Sequence, residues 1–237
     1  MKRLLVLLAL LSVVVPVAAQ EPAQQQKQAE PQHKMLQFQM ALLKRGPKAT
    51  PSDWETSALR QQHLAYVQSL VTSDKAMIAG RITDDPDLRG VLIFRTKSAD
   101  EARDLMLADP AVAAGHYEVE LHPWWSEDVM KKTTTPDKMM TAYLAFLVRG
   151  DKWTPEKTPQ TEAIQKGHMA NINRLAEMKK LVVAGPFGDN GTLRGIFVFR
   201  VNSLEEAREL AASDPAVQAG RLALQIHPWV VPEGILP

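Results

Sequence analysis

Apolar residues alternate at Leu36, Phe38, Met40 and Leu42 and again at Ala142, Leu144, Phe146 and Val148, the period of two that marks a strand with one face on a core. The spacing then lengthens. Leu59, His63, Tyr66, Val67 and Leu70, and later Ile164, His168, Ile172 and Leu175, recur at helical intervals and predict a helix after each strand, with a histidine on its apolar stripe. The short apolar runs Ala76 to Ala79 and Leu181 to Ala184 predict a second strand ending at Gly80 or Gly185, and the runs from Val91 and Ile196 a third. Ser98-Ala99-Asp100-Glu101 and Ser203-Leu204-Glu205-Glu206 read as capping boxes, in which the serine accepts from the helix backbone and the glutamate reaches back. A fourth strand is predicted over Tyr117 to Leu121 and over Leu222 to Ile226.

The pattern occurs twice because the sequence does. An offset of 105 residues carries Leu88-Arg89-Gly90 onto Leu193-Arg194-Gly195, Asp109-Pro110-Ala111-Val112 onto Asp214-Pro215-Ala216-Val217, Gly115 onto Gly220, and His122-Pro123-Trp124 onto His227-Pro228-Trp229. Arg45-Gly46 matches Arg149-Gly150 at 104, so the second copy holds one extra residue before its first helix. A repeat this long, present twice, is a domain and not a solenoid unit.

The order β-α-β-β-α-β is that of a ferredoxin-like split unit, an α+β fold whose antiparallel sheet carries both helices on one face. The other face must be covered or wet, and a second copy on the same chain supplies a partner sheet. The expectation is two ferredoxin-like modules forming an intramolecular pseudo-dimer, at residues 35–125 and 139–231. Residues 126–138 form a charged, Thr-rich linker between them.

Composition narrows the setting. The 28 basic and 27 acidic residues leave a formal charge of +1, without the basic footprint of a nucleic-acid or anionic-membrane binder. Lys2 and Arg3, the apolar run Leu4 to Val15, and Val17-Ala18-Ala19 read as a signal peptide over 1–19, too short for the roughly 20 residues of a spanning helix. Residues 20–34 follow as a Gln-, Glu- and Pro-rich disordered leader. With no cysteine in the chain, disulfides, a thiol nucleophile, a lipid-modified cysteine and Cys-type zinc sites are excluded. A periplasmic or secreted protein with no membrane span after cleavage is expected.

Several features together resemble the YCII-related family of the dimeric α-β barrel superfamily. They are a histidine in the first helix (His63, His168), Ala-Gly after the second strand (Ala79-Gly80, Ala184-Gly185), Asp-Pro-x-x-x-x-Gly (Asp109 to Gly115, Asp214 to Gly220) and the closing Pro-Trp (Pro123-Trp124, Pro228-Trp229). The resemblance covers nearly all of the chain after the leader. It implies a pocket beside the sheet holding a His/Asp pair, with reactions like those of dehydrochlorinases or lactone isomerases. Arg81 departs from the pattern where Gly185-Pro186 keeps its proline, so the copies need not be equally functional.

In that light His63 pairs with Asp109 and His168 with Asp214, each 46 residues apart, as catalytic candidates. A carboxylate on one ring nitrogen would fix the tautomer and make the other nitrogen a general base. Two structural alternatives stand beside this reading: a hydrogen-bonded core histidine, and an aspartate that caps a short helix opened by proline and closed by Gly115 or Gly220. Arg89 and Arg194 are candidates to hold a substrate carboxylate, against a surface ion pair. His122 and His227 are expected to be structural rather than metal ligands, Trp124, Trp125 and Trp229 to pack between the copies, and Met77, Met106 and Met169 to fill gaps.

The expected function is a small-molecule enzyme of lyase or isomerase type without cofactor or metal. The alternative is a binding or interaction protein with the same fold. Fold analogy adds a haem-dependent or cofactor-free monooxygenase. Apart from pairing of its own two modules, the partner expected is a small-molecule ligand.

Overall fold

The computed structural model describes residues 34–49, 54, 57–131 and 138–237; the expected signal peptide and nearly all of the leader lie outside them. The first module runs β1 (Leu36–Arg45), α1 (Ala58–Thr72), β2 (Ala76–Ile82), β3 (Leu88–Phe94), α2 (Ala99–Leu107), α3 (Pro110–Ala113) and β4 (Tyr117–Ser126). The second repeats it as β5 (Met139–Arg149), α4 (Pro159–Glu177), β6 (Leu181–Pro186), β7 (Leu193–Phe199), α5 (Leu204–Ala212), α6 (Pro215–Gln218) and β8 (Leu222–Pro232).

The copies do more than face each other. Their strands form one antiparallel eight-stranded sheet in the order β4-β1-β3-β2-β8-β5-β7-β6. β2 and β8 join through Arg81 opposite Val230 and Ile82 opposite Trp229. At the other end Trp124 bridges to Phe187, and the Gly188 N–H donates to the Pro123 carbonyl at 2.8 Å. The 105-residue offset carries one seam onto the other, so the sheet closes on itself as a barrel, and closure leaves no long edge to pair with other chains.

Closure explains why the helix-free face of the sheet is dry: it lines the inside of the barrel. Phe38, Met40 and Leu42 point into a core shared with Leu144, Phe146, Trp124 and Trp229. Ala41 and Leu43, one residue out of phase, pack under the first module's helices. β1 is therefore buried on both faces, where the alternation alone predicted one. The second module's helices cover a matching cluster around Leu147, Leu175 and Phe197. Trp124 and Trp229 lie within the shared core, whereas Trp125 is partly exposed against the neighbouring copy's Gly188. Met77 and Met106 are buried, but Met169 is exposed.

Two local expectations need correction. Ser98 and Ser203 accept from the N–H groups of Glu101 and Glu206, yet neither glutamate reaches back to its serine. Glu101 takes the Thr96 hydroxyl, and Glu206 takes Lys180 and the Asn202 N–H. The expected linker also starts late: Ser126 still belongs to β4, and Met130 is buried in the shared core.

His122 and His227 each reach a carboxylate across the join between copies. His122 Nδ1 lies 2.5 Å from Asp189 Oδ2 of the second module, while its Nε2 lies 2.9 Å from Glu120 Oε1, which also pairs with Lys44. Both ring nitrogens thus face carboxylates, one from each module. His227 Nδ1 meets Asp84 Oδ1 of the first module at 3.0 Å. Burial by itself would raise the pKa of Asp189, but hydrogen bonds from His122 and the Gly191 N–H outweigh it and hold the carboxyl below the usual range. A lowered folded pKa means the unfolded chain binds the proton more readily, so this contact stabilises the fold fully above the ordinary carboxylate value of about 3.9 and loses its contribution as pH falls through the lowered one. Asp189→Asn should lower the urea midpoint near neutrality, and the gap from wild type should close in acid. A gap independent of pH would show that the charge is not what matters.

Candidate active site

Helix α1 starts at Ser57, whose hydroxyl accepts from the Arg60 N–H, and this sets the phase that turns His63 inward, 8% exposed, against the sheet. The chain returns through α3, where Asp109 is the N-cap. Its Oδ1 accepts from the Ala111 N–H at 2.8 Å and its Oδ2 lies 2.7 Å from His63 Nδ1. Cap and partner are thus one carboxylate, completely buried. Proline at N1 supplies the preset φ, and Gly115, at φ +75°, makes the turn that leads into β4. The second copy repeats the geometry, with Ala216 N–H to Asp214 Oδ1 at 2.8 Å and His168 Nδ1 to Asp214 Oδ2 at 2.8 Å.

An ionised carboxylate only accepts, so Nδ1 carries the proton in each pair and Nε2 holds the lone pair of the neutral ring. In the first module that ring opens onto a cleft of about 290 Å³ lined by Arg60, His63, Arg81, Arg89, Leu92 and Tyr117 among others. Tyr117 stands edge-on to His63 with centroids 5.2 Å apart, and Trp54, also on the cleft wall, stacks on His116 at 3.6 Å. Burial pulls the pKa of His116 down, and repulsion from His63 in its protonated form, then from Arg89 and Arg45, pulls it further. Behind the pair, the Tyr66 hydroxyl donates to the Leu105 carbonyl at 2.7 Å; burial, then the charge of Asp109, raises its pKa.

The two candidate arginines separate. Arg89 lies on the cleft wall and donates to the Asp85 backbone carbonyl at 3.2 Å. Arg194 lies beside the Trp153 ring, 5.5 Å from its centroid, with Arg149 over the same ring at 4.0 Å. Its Nη1 is buried without a hydrogen-bond partner, and burial followed by repulsion from Arg149 lowers its pKa. Among the described residues neither arginine forms a carboxylate ion pair.

Behind the second His/Asp pair the surroundings have diverged. Asn171, in the place of Tyr66, donates to Asp214 Oδ2 at 3.3 Å and accepts from Arg174 at 2.7 Å, and Arg174 also reaches the Ser213 hydroxyl at 3.0 Å. Phe197 replaces Leu92 and stacks on His168 with centroids 5.8 Å apart. Asp214 is therefore shared, and its histidine has an aromatic ring against it. Sequence reasoning did not find these contacts, nor Asp84 and Asp189, although the last two recur at the same offset as the histidines they bind. Among the described residues no group of three or more His, Cys, Asp or Glu side chains could hold a metal ion, and no helix is long and apolar enough to cross a membrane.

Comparison with known proteins agrees with this fold. Over 81% of its length the chain superposes on 90% of chlorite dismutase from Candidatus Nitrospira defluvii, with a TM-score of 0.54 at 12% identity. Over 83% it superposes on 92% of a heme-binding protein from Thermus thermophilus, with a TM-score of 0.53 at 10% identity. Identities this low show a shared fold alone. A relative named Uncharacterized protein YjpA, from Bacillus subtilis (strain 168), is 34% identical over 90 residues, which is 38% of this chain and 95% of YjpA, the length of one module. The YCII-related domain matches residues 37–124 and again 143–230: the chain belongs to the YCII-related domain family and carries its domain twice.

Proposed function

We propose that the protein is a small-molecule enzyme in which His63 acts as a general base oriented by Asp109. The observation that carries this is a histidine with one nitrogen fixed by a buried carboxylate and its ring on the wall of a cleft. His63 Nε2 takes a proton from an activated C–H. The electron pair left on carbon moves toward an adjacent carbonyl; the proton then returns at another carbon in an isomerase, or the pair expels a leaving group in a lyase. Asp109 keeps the proton on Nδ1 and stabilises the imidazolium as it forms. We place the reaction in the first module, where His63 lines the cleft, and assign the second a mainly architectural part, on the sharing of Asp214 with Asn171. Export to the periplasm belongs to the same proposal and rests on the signal-like N-terminus.

The fold likeness to a heme-binding protein suggests a different chemistry; the cleft of about 290 Å³ beside His63 is instead the size of a compact small molecule. A binding protein without catalysis is the second reading, favoured by the depth at which His63 is buried.

Exchange of C–H for C–D in small carbon acids, followed by proton NMR in heavy water, separates them. Exchange accelerated by the wild type and by His168→Gln, and lowered by about 10² or more in His63→Gln, is the expected result. Acceleration that survives His63→Gln rules out this base. No acceleration of any compound that binds leaves the binding protein.

A further inference from the structure

We infer that the molecule accepted by the first module's cleft is a compact carboxylate, its anionic end taken by Arg89 in the field of Arg60 and Arg81. The inference rests on the reading of this cleft as the functional site and adds the class of its substrate. Three guanidinium groups reach the wall from three different elements, α1, β2 and β3, and no acidic side chain is among the described residues that line it. Arg60 and Arg81 have interactions of their own, so the direct contact is assigned to Arg89. Arg89 is anchored from behind by the Asp85 carbonyl, which leaves a planar fork of N–H donors suited to an oxygen pair. The Asp85 carboxylate does not compete for that fork by hydrogen bonding. It accepts from the backbone N–H groups of Asp87 and Leu88, at 2.7 and 2.8 Å. Apart from His63 and Tyr117 the remaining wall is apolar, with Val67, Leu92 and Val230, so the body of the ligand is largely hydrophobic.

The second copy shows that this charge is not demanded by the fold. At the positions equivalent to Arg60, Arg81 and Arg89 it has Gln165, Pro186 and Arg194, one cation in place of three. Arg81 lies opposite Gly90 as Pro186 lies opposite Gly195, so proline suits this backbone, and arginine there adds a charge that sheet geometry does not require.

The test is a heteronuclear NMR titration of the full chain with benzoate and with its neutral isostere benzamide. Benzoate should shift the resonances of Arg89, Leu92 and Tyr117 and bind at least about tenfold more tightly than benzamide, with a preference that weakens as salt is added. Arg89→Gln should abolish the preference, and Arg60→Gln combined with Arg81→Gln should reduce it. Arg103→Gln, a surface change of the same net charge, should leave it intact. Equal affinity for the two probes, no shift at the cleft with either, or a preference untouched by both cleft variants would overturn the inference. The acid–base reading fails separately. Charge preference without C–H exchange by any carboxylate would remove His63 as a base and keep the anion site, whereas exchange of neutral carbon acids without charge preference would do the reverse.

Discussion

Asp109→Asn is expected to leave the protein folded and to remove proton transfer, lowering the rate by about 10² to 10⁴. The amide oxygen can still accept the Ala111 N–H that Asp109 Oδ1 accepts at 2.8 Å, so α3 keeps its cap. The other end of the amide is an NH₂ group placed where Oδ2 faces His63 Nδ1 at 2.7 Å. It can only donate, so His63 must present a lone pair at Nδ1 and move its proton to Nε2, the nitrogen that should be the base. Loss of a charge-assisted hydrogen bond should cost about 1 to 2 kcal/mol of stability. Asp109→Ala removes the cap as well and strands the histidine, for a total nearer 3 kcal/mol. Long-range nitrogen–proton spectra of the His63 ring should show the tautomer exchanged in Asp109→Asn, and C–H exchange should fall with it. An unchanged tautomer with full exchange would mean that Asp109 only caps.

The second copy sharpens the comparison. Asp214 Oδ2 takes His168 and Asn171 together, so an amide at position 214 would set its NH₂ against two groups that now donate to it. Asp214→Asn should therefore destabilise the fold more than Asp109→Asn does, and change exchange little. A partition of this kind, activity lost in one module and stability in the other, is what divergence of two copies from one ancestor with a shared site predicts.

Much of this arrangement was legible in the sequence, because the repeat aligned every element with its counterpart and set both His/Asp pairs at one spacing. Other features were hidden for physical reasons. The fourth strand is expected to end at Leu121, yet β4 continues through Pro123 to Ser126. A missing N–H is tolerable at the seam, where Pro123 offers only its carbonyl, to Gly188. Gly80 reads as a strand end, but β2 runs on to Ile82, and the glycine is there because the Trp229 ring occupies the space of a Cβ. Arg194 resembles Arg89 in its sequence context and differs from it in three dimensions because Trp153 and Arg149 stand next to it. The cleft depends on such nonlocal neighbours. Periodicity does not report them.

The largest loss of stability is expected where the barrel closes. A methyl group on Gly185 would lie 1.8 Å from the Trp125 carbonyl oxygen and 3.0 Å from Trp124 Nε1, and the first of these is backbone that cannot swing aside. Nearby, the Gly185 carbonyl accepts from Trp124 Nε1 at 3.1 Å and the Ala184 carbonyl from the Ser126 hydroxyl at 3.4 Å. Gly185→Ala therefore has to separate β4 from β6, and the separation spreads to the shared core, because Trp124 is fully buried there. The cost should be about 3 kcal/mol or more. Trp124→Phe, which deletes the indole donor but lets the strands approach, should cost less. The two variants, compared by urea unfolding and by hydrogen exchange of the β4 amides, distinguish a barrel held shut by close backbone approach from one held by side-chain bonds. If Gly185→Ala unfolds at the wild-type midpoint with β4 still protected, β4 and β6 are not in the tight contact that closes the sheet. If it opens β4 selectively while the second module's own strands stay protected, the seam is the weak point through which the two copies come apart.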